Sequence, residues 1–294
     1  ENFGTEMLQL DDNKLEFVGA RKESYSKFSR KPKVEGGTLD DDLSRRDFTV
    51  NAMAVSLNAA DFGRLVDPFR GQEAMLEKIL RTPLDPTATF DDDPLRIMRA
   101  FRFSGQLEFT IEPSVLEAAA SMAPRLKIVS QERITDEFVK ILMCRKPSIG
   151  LQSMHEAGVL KVMFPEVAHL GGVDQRQDFH HKDVFQHTIR VLDNIADVSE
   201  NLWLRLAALL HDIAKPRTKA FQEGVGWTFH GHEEIGARMV KPIFRRMKLP
   251  LEHQGYVEKI VRLHLRPMAL VDEGVTDSAV RRLVFEAGND IDDL

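Results

Sequence analysis

Three adjacent charged residues, Arg45, Arg46 and Asp47, interrupt a pattern that otherwise predicts the buried face of one helix. Apolar residues recur at helical spacing at Leu39, Leu43, Val50, Ala54 and Leu57. Arg46 falls on the same face, seven residues after Leu39. A buried charge is costly unless it is paired or faces a ligand cavity. The pattern therefore indicates either an internal salt bridge or a site for a charged ligand.

Asp93 and Arg96 have the spacing of neighbours on one helix. Pro94 and the preceding carboxylates are typical of a helix start. The pair presents an acceptor beside donors, which complements the pairing edges of cytosine and adenine. Guanine and uracil have the opposite polarity, and each unpaired buried group would cost about 1–3 kcal/mol. The alternative is a capped helix with an ion pair worth only about 0.3 kcal/mol.

An apolar run from Leu206 to Leu210 leads directly into His211 and Asp212, and Pro216 follows. Burying the His–Asp pair without a partner would be costly. A transition-metal ion would offset that cost, because neutral imidazole and carboxylate are good ligands. The sequence therefore predicts a metal site at the end of this helix.

The elements that must position these residues are mostly helices. Beyond Phe103 the pattern is helical almost throughout, and strands are expected only near the start. The polar stretch from Lys22 to Gly37 has no apolar period and predicts a flexible loop. A length of 294 residues allows one or two core-bearing domains plus connecting helices.

Composition excludes several classes of protein. The chain is 43% hydrophobic and 29% charged, as is ordinary for a soluble globular protein. Its net charge of −6 argues against a general nucleic-acid binder, because phosphate-backbone binding would need a local basic patch. No apolar run approaches the roughly 18–20 residues that cross a bilayer. The single Cys144 excludes an internal disulfide and predicts a cytoplasmic protein.

The chain resembles the bacterial class II tRNA nucleotidyltransferase and poly(A) polymerase family from about residue 1 into the 290s. Three segments carry the resemblance: GTLDDDLSRRDFTVNAMA, LVDPFRGQEAMLEKILRTPLDPTATFDDDPLRIMRAFRF and QERITDEFVKIL. It implies a template-independent enzyme that builds or repairs the 3′ CCA end of tRNA from CTP and ATP. Its partners would be tRNA and these nucleotides, with no membrane.

The resemblance also implies roles for individual residues. The ribose of the nucleotide would be contacted by Arg45, Arg46 and Asp47. The incoming base would be read by Asp93 and Arg96, with Arg99 as a further nucleotide-binding residue. Supporting positions are the turn at Asp67, Pro68 and Gly71, and Glu132 and Arg133, which would brace the base-reading helix.

The chain departs from the family at its beginning. The family's Gly-Gly-x-x-Arg phosphate loop and its Asp-x-Asp pair, which binds two magnesium ions, are absent from this sequence. Glu16 matches a third family carboxylate and is the one catalytic candidate. We therefore expect a preceding segment to be missing, and we expect the chain as it stands not to polymerise nucleotides.

The segment around His211 resembles the HD phosphohydrolase superfamily. The resemblance implies a divalent transition metal held by His187, His211, Asp212, His232 and His264. Asp290 is a candidate for the final aspartate of that pattern. Metal binding alone does not establish hydrolysis, since such a module can also serve as a scaffold for RNA.

The predicted fold is mostly α: a truncated α/β nucleotidyltransferase head, a helical neck and a helical HD-type body. The predicted domains are residues 1–60, 61–170 and 171–294. Three functions stay open at this point. They are CCA addition with an appended HD module, poly(A) polymerisation by the same family, and metal-dependent phosphohydrolysis at the HD module alone.

Overall fold

The structure, a computed structural model, describes residues 5–26, 29–173, 183–271 and 276–294. Contacts divide the chain into two compact units. Unit 1 comprises Glu1–Ala100 with Phe109–Arg125, and unit 2 comprises Phe101–Glu108 with Leu126–Leu294. The three-part division predicted above is a functional one and stays a prediction.

The strands of unit 1 pair two by two. Their bounds are β1 (Thr5–Leu10), β2 (Asn13–Val18), β3 (Arg21–Ser26), β4 (Ser29–Gly36), β5 (Ala54–Val55), β6 (Leu65–Val66), β7 (Ile79–Leu80) and β8 (Thr110–Ile111). The pairs β1–β2, β3–β4 and β5–β6 are antiparallel, whereas β7–β8 is parallel. The predicted loop over residues 22–37 is wrong, because β3 and β4 pair from Arg21 opposite Gly36. Antiparallel pairing satisfies the backbone groups without requiring an apolar period in the side chains.

The helices of unit 1 begin with α1 (Leu39–Ser44) and continue with α2 (Gly71–Glu77), α3 (Pro86–Asp92), α4 (Leu95–Leu107) and α5 (Pro113–Met122); α4 extends into unit 2. Short 3₁₀ turns cover Thr49–Asn51 and, later in the chain, Ala123–Ile128, Leu251–His253, Met268–Leu270 and Gly288–Asp293. Helix α4 begins directly after Pro94, as predicted, and buries Ile97, Met98 and Phe101 completely.

Helix α1 has the predicted N-cap but is much shorter than the apolar pattern suggested. The Thr38 hydroxyl accepts from the Asp41 amide, and the Asp41 carboxylate accepts from the Thr38 amide, which forms a capping box. The single buried face predicted from Leu39 to Leu57 is wrong: the helix ends at Ser44, and Leu57 is 77% exposed. The chain turns because the Asp47 carboxylate accepts from the Phe48 amide, which takes up a backbone donor outside the helical pattern.

The described residues of unit 2 form helices and one hairpin. Its helices are α6 (Gln131–Leu142), α7 (Pro147–Glu156), α8 (Val159–Met163), α9 (Pro165–Ala168), α10 (Val184–Val198), α11 (Leu202–Leu210), α12 (Lys215–Thr218), α13 (His232–Arg246), α14 (Gln254–Leu263) and α15 (Asp277–Ala287). The hairpin joins β9 (Ala220–Gln222) to β10 (Gly226–Thr228). Fully buried phenylalanines fill the core, and the rings of Phe138 and Phe164 meet edge to face at 5.6 Å. The predicted mostly α fold with small strand pairs is therefore confirmed.

Helix α11, which carries the His–Asp pair at its end, is fixed by the buried side chain of Arg205. Its guanidinium donates to the carbonyls of Leu142 and Cys144 at the C-terminal end of α6, both at 2.9 Å. It also donates to the carbonyls of Ala196 and Ser199 at the end of α10. A cation at two helix C-termini is favourable, because their last carbonyls carry partial negative charge. No helix in the described part of the chain is long and apolar enough to span a membrane.

Candidate functional site

Asp47 is the centre of a hydrogen-bonded cluster in unit 1. One carboxylate oxygen accepts from the Phe48 amide at 2.9 Å and from the Asn51 side chain at 3.2 Å. The other accepts from Nε of Arg99 at 2.6 Å and lies 2.5 Å from its Nη2. Asp47 is buried, and these four donors match the four lone-pair positions of a carboxylate. In this arrangement Asp47 fixes both the guanidinium of Arg99 and the turn that follows Asp47 itself.

Arg45 and Arg46 both bind Asp42, which precedes them on α1. Nη2 of Arg45 lies 2.5 Å from one carboxylate oxygen, and Nη2 of Arg46 lies 3.1 Å from the other. Burial alone would raise the pKa of Asp42, but hydrogen bonds and charges from the two arginines outweigh it and lower that pKa. The Arg46 side chain is 45% exposed against 19% for Arg45. Arg46 is thus the more accessible of the two arginines to a ligand.

Arg96 joins the two charged segments that the sequence analysis treated separately. Its Nη2 donates to the carbonyl of Arg45 at 2.6 Å, and its Nη1 donates to the carbonyl of Thr89 at 3.2 Å. Asp93 caps α4, since its carboxylate accepts from the Leu95 amide at 3.1 Å. The segments at 45–47 and 93–99, about fifty positions apart in sequence, therefore meet inside unit 1.

Asp67 and Gly71 build the turn into α2. The Asp67 carboxylate accepts from the amides of Gly71 and Gln72, at 2.6 and 2.9 Å, and so caps this helix. A Cβ at Gly71 would collide with the carbonyl of Thr49 and would lie only 2.8 Å from Sδ of Met53. Gly71 is therefore required by the close approach of α2 to the turn that follows Asp47.

A buried ion pair joins α4 to α6, and the bracing role of Glu132 and Arg133 stays a prediction. Glu132 pairs with Lys248 at 2.9 Å, and Arg133 is exposed on α6. The buried pair is Arg102 of α4 with Glu137 of α6, with N–O distances of 3.1 and 3.2 Å. Glu137 lies one turn after Arg133, and its alignment with the apolar positions Ile134 and Ile141 was the available sequence signal.

Glu16 lies on β2 opposite Met7 and is exposed. Within residues 5–26, 29–173, 183–271 and 276–294, three or more possible metal ligands come close together only around Asp212. Glu16 is not one of these residues. The catalytic role of Glu16 therefore stays a prediction.

Four histidines surround Asp212 in unit 2. His211 comes from the end of α11, His187 from α10, His232 from the start of α13 and His264 from the end of α14. Their Nε2 atoms lie between 3.1 and 3.9 Å from the Asp212 carboxylate oxygens, and Nε2 of His187 and His211 are 3.3 Å apart. The two groups His187–His211–Asp212 and Asp212–His232–His264 each bring their ligand atoms within 4.8 Å of one another. We call these five residues the His/Asp cluster.

The outer nitrogens of three rings are already bonded. Nδ1 of His211, His232 and His264 lies 2.6–2.7 Å from the carbonyl of the residue three positions earlier. A carbonyl can only accept, so each Nδ1 carries the hydrogen, and in the neutral ring Nε2 presents its lone pair to the cluster. Nε2 of His232 and of His264 are buried without a hydrogen-bond partner. Converging lone pairs beside a carboxylate fit a divalent cation, and the carbonyl bonds orient the rings for it.

Charge in the cluster follows from burial. Burial, with the neighbouring His211 ring, lowers the pKa of His264 to about 4, so this ring is neutral at neutral pH. Burial would raise the pKa of Asp212, but the neighbouring His211 and His232 rings and the ammonium of Lys215 hold it well below its usual range. Lys215 donates to Asp212 at 2.7 Å. Lys215 was not among the predicted site residues, although its position three residues after Asp212 on a helical turn was a signal.

Asp290, the candidate for a final metal ligand, lies elsewhere. It pairs with Nζ of Lys259 at 2.6 Å, and Lys259 also donates to the carbonyl of Ala287. It belongs to neither of the metal-competent groups found among the described residues. Its contacts anchor the end of α15 to α14.

Three family models match successive parts of the chain. They are "Poly A polymerase head domain" over residues 1–81, "Probable RNA and SrmB- binding site of polymerase A" over 108–170, and "HD domain" over 184–282. An A-adding tRNA nucleotidyltransferase of Deinococcus radiodurans is 35% identical over 264 residues, which are 87% of this chain and 58% of the relative. The chain belongs to the tRNA nucleotidyltransferase and poly(A) polymerase family.

Other members of this family share both sequence and fold with the chain. A multifunctional CCA protein of Neisseria meningitidis serogroup A is 35% identical over 231 residues, which are 78% of the chain and 53% of that protein. The chain thus spans a little over half the length of these curated relatives. A tRNA-processing enzyme solved with CTP has a TM-score of 0.68 at 24% identity, over 99% of this chain and 70% of that one. A tRNA nucleotidyltransferase solved with a primer tRNA and an ATP analog has a TM-score of 0.65 at 22% identity, over 99% and 75%. These two likenesses concern the fold.

Proposed function

We propose that the chain is part of a template-independent nucleotidyltransferase that adds or repairs the 3′ CCA end of tRNA from CTP and ATP. The observation that carries this proposal is the junction inside unit 1. Arg96 bonds to the carbonyl of Arg45, and Arg99 bonds to Asp47, so the proposed base-reading helix is attached to the proposed ribose-binding segment.

The residues would divide the recognition of a nucleotide among them. Arg46 would contact the ribose, since it is the accessible arginine of the pair that binds Asp42. Asp93 and Arg96 would read the pairing edge of the base, with an acceptor beside donors. Asp47 would act as a positioning residue, because its acceptor positions are filled by Arg99 and its own turn. Magnesium at the transfer site belongs to the same proposal, with Glu16 as the carboxylate that the family resemblance offers for it.

The test uses the complete protein with magnesium, tRNA transcripts that lack CCA, end in CC or end in CCA, and each labelled nucleotide in turn. We expect two C and one A to be added in order, after which addition stops. Addition of A alone, and only to tRNA already ending in CC, would replace this proposal with the activity named for the Deinococcus relative. Long A tails would instead mean a poly(A) polymerase. No incorporation on any transcript would contradict all three activities.

We further propose that the His/Asp cluster holds a divalent transition metal. The buried Nε2 atoms of His232 and His264, which have no hydrogen-bond partner, support this. Each has lost its hydrogen bonds to water on burial and has gained none from the protein. A bound metal would supply Lewis-acid chemistry for hydrolysis of a phosphoester. Of the chain's own groups, Lys215 would neutralise Asp212 and could contact a phosphate oxygen.

His211→Ala in the complete protein separates the two proposals. We expect it to leave CCA addition largely intact and to abolish any metal-dependent phosphatase activity. Loss of CCA addition in a well-folded His211→Ala protein would mean that the two activities are not independent. A cytoplasmic location, where tRNA is processed, belongs to the same proposal.

A further inference from the structure

The hairpin of β9 and β10 leaves aromatic rings open to solvent near the His/Asp cluster. Phe221 is 59% exposed, and its ring meets that of Trp227 with 5.3 Å between centroids and 74° between planes. The two residues are direct partners across the hairpin. Two nearly perpendicular rings form a corner, in which a flat ligand can stack on one ring and touch the other.

Two lysines lie against the aromatic rings of Trp227 and Phe229. Nζ of Lys219 is 4.4 Å from the centre of the Trp227 ring, and Nζ of Lys215 is 5.5 Å from the centre of the Phe229 ring. Such cation–π contacts keep an ammonium group beside a ring and available to an anion. The hairpin therefore combines a surface for a flat apolar group with positive charge.

The same segment is continuous with the His/Asp cluster. The carbonyl of Phe229, the residue after β10, bonds to Nδ1 of His232 at 2.7 Å. Lys215, whose ammonium faces the Phe229 ring, also bonds to Asp212 at 2.7 Å. Trp227 and Phe229 are two positions apart on an extended segment, a span of roughly 7 Å. A ligand at the corner can thus extend into the cluster.

We propose that the hairpin is a stacking platform for a nucleobase whose phosphate lies at the His/Asp cluster, with Phe221 as the stacking ring. The ligand is a base that carries a phosphate, either a free nucleotide or the unpaired end of an RNA. An aromatic ring accepts any base, and lysines complement phosphate. This inference rests on the proposed metal-binding function of the cluster. A docking protein would explain the exposed rings but not the lysine-lined path to Asp212.

The two tryptophans of the chain allow a direct binding assay. Trp203→Phe leaves Trp227 as the sole reporter, and Trp227→Phe leaves Trp203, which is on α11 and stacks on His253. With manganese present, we expect adenosine 5′-monophosphate or single-stranded oligoadenylate to quench the first variant saturably and to leave the second unchanged. Ribose 5-phosphate, which has no base, should quench neither. If a substitution impairs folding, 5-fluorotryptophan in the unsubstituted chain gives the same readout by ¹⁹F NMR.

Substitutions at Phe221 test the stacking role. Phe221 is exposed, so Phe221→Leu should fold normally while losing the ring face. We expect it to weaken binding at least fivefold, since stacking on one ring is worth a factor of roughly five or more. Phe221→Tyr should restore binding. Phe285→Leu, the same change at a residue that is 88% exposed on α15, is the matched control and should have no effect.

The outcomes separate the ligand source and the two proposals. Saturation by the mononucleotide supports a free nucleotide, whereas saturation by the oligonucleotide alone supports an RNA end. Equal quenching by ribose 5-phosphate, or no saturable quenching, overturns the platform. Self-association of the ligand-free protein that is abolished by Phe221→Leu would also overturn the platform, because the rings would then join two copies of the chain. Manganese binding measured by calorimetry without nucleotide binding overturns the platform alone. Nucleotide binding without manganese binding overturns the metal proposal alone.

Discussion

In unit 1 the acceptor positions of Asp47 are filled by fixed donors, whereas in unit 2 Asp212 is surrounded by ring nitrogens that carry lone pairs. Asp47 receives two bonds from Arg99 and two from its own turn. Asp212 receives one ammonium, from Lys215, and faces four imidazoles. Both carboxylates are buried, so the contrast lies in their partners rather than in their exposure.

The different partners of the two carboxylates indicate which cluster needs a bound cation. An arginine carries its charge and its hydrogens permanently, so the unit 1 cluster is satisfied without a ligand. A neutral imidazole whose Nδ1 hydrogen is used by a carbonyl offers only a lone pair to the interior. The unit 2 cluster is therefore short of positive charge, and a cation would complete it. We expect unit 1 to be insensitive to divalent ions and unit 2 to depend on them.

The largest effect should come from adding a divalent metal. At a manganese concentration a hundred times its Kd, the free energy of unfolding of unit 2 should rise by about 2.7 kcal/mol, because the folded state alone has the site. His211→Ala should lose this gain. The measurement is urea unfolding followed by tryptophan fluorescence, which reports unit 2 because both tryptophans lie there.

His230→Ala is the matched control for the metal effect. His230 is exposed and lies two residues before His232, so its loss removes an imidazole from the same segment without touching the cluster. His230→Ala should keep the full rise in unfolding free energy on addition of manganese. An equal gain in His211→Ala would show that the ion binds elsewhere and that the contrast between the two carboxylates is false.

The next effect should come from Asp47→Asn in unit 1. Removing one charge from a buried ion pair leaves the other poorly compensated, and because Arg99 is about a third exposed we expect a loss of about 2 kcal/mol. Manganese should not change this loss. Far-UV circular dichroism during urea unfolding measures it. Glu73→Gln, in the exposed pair with Arg70, should cost less than about 0.5 kcal/mol. A loss at Asp47 that manganese repairs would contradict the independence of the two clusters.

The fold was predictable where a local signal determined the structure. Pro94 and the acidic residues before it fixed the start of α4, and Thr38 fixed the start of α1. The apolar spacing that continued to Leu57 failed, because apolar positions at helical intervals do not ensure a helix when backbone donors find other partners. The amide of Thr49 bonds to the carbonyl of Arg81, a contact between distant segments that no local pattern contains.

The candidate sites were predictable as sets of residues but not as networks. Their types and order indicated nucleotide and metal chemistry, yet the partners of Arg96 are backbone carbonyls, which every residue has. The bonds that orient His211, His232 and His264 also go to carbonyls. Glu137 and Lys215 had a signal in their spacing, from the apolar positions of α6 and from Asp212, but the spacing of Glu137 does not name its partner Arg102, 35 positions away.

Base selection should respond to the proposed acceptor at Asp93. Asp93→Asn keeps an oxygen that can cap α4 but can turn a donor toward the base, so the preference for C and A over G and U should fall about tenfold. The rate of adding the correct nucleotide should change less. Competition between labelled CTP and UTP on tRNA lacking CCA, with the complete protein, measures this ratio.

Asp85→Asn is the control for base selection. Asp85 caps α3 through the Ala88 amide and is exposed, so the same chemical change is made at a helix start that reads no base. It should leave the ratio unchanged. An unchanged ratio in Asp93→Asn would remove the proposed reading of the base by this helix. Arg96 is the poorer test position, because its loss would also release the carbonyl of Arg45.

The smallest effect should be the response of unit 1 to acid. The arginine bonds to Asp42 outweigh its burial and lower its pKa below the ordinary value of 3.8. The unfolded state then binds the proton more readily, so the contribution of Asp42 to stability is present above pH 3.8 and is lost as the pH falls through its folded pKa. Asp42→Asn should therefore flatten the acid dependence of unit 1 unfolding measured by circular dichroism.

Asp40→Asn is the control, because it makes the same change at an exposed position of α1, and it should leave the acid dependence as it is. If both variants behave alike, the two arginines do not hold Asp42 in solution, and the pairing of unit 1 carboxylates with fixed arginines then fails at Asp42.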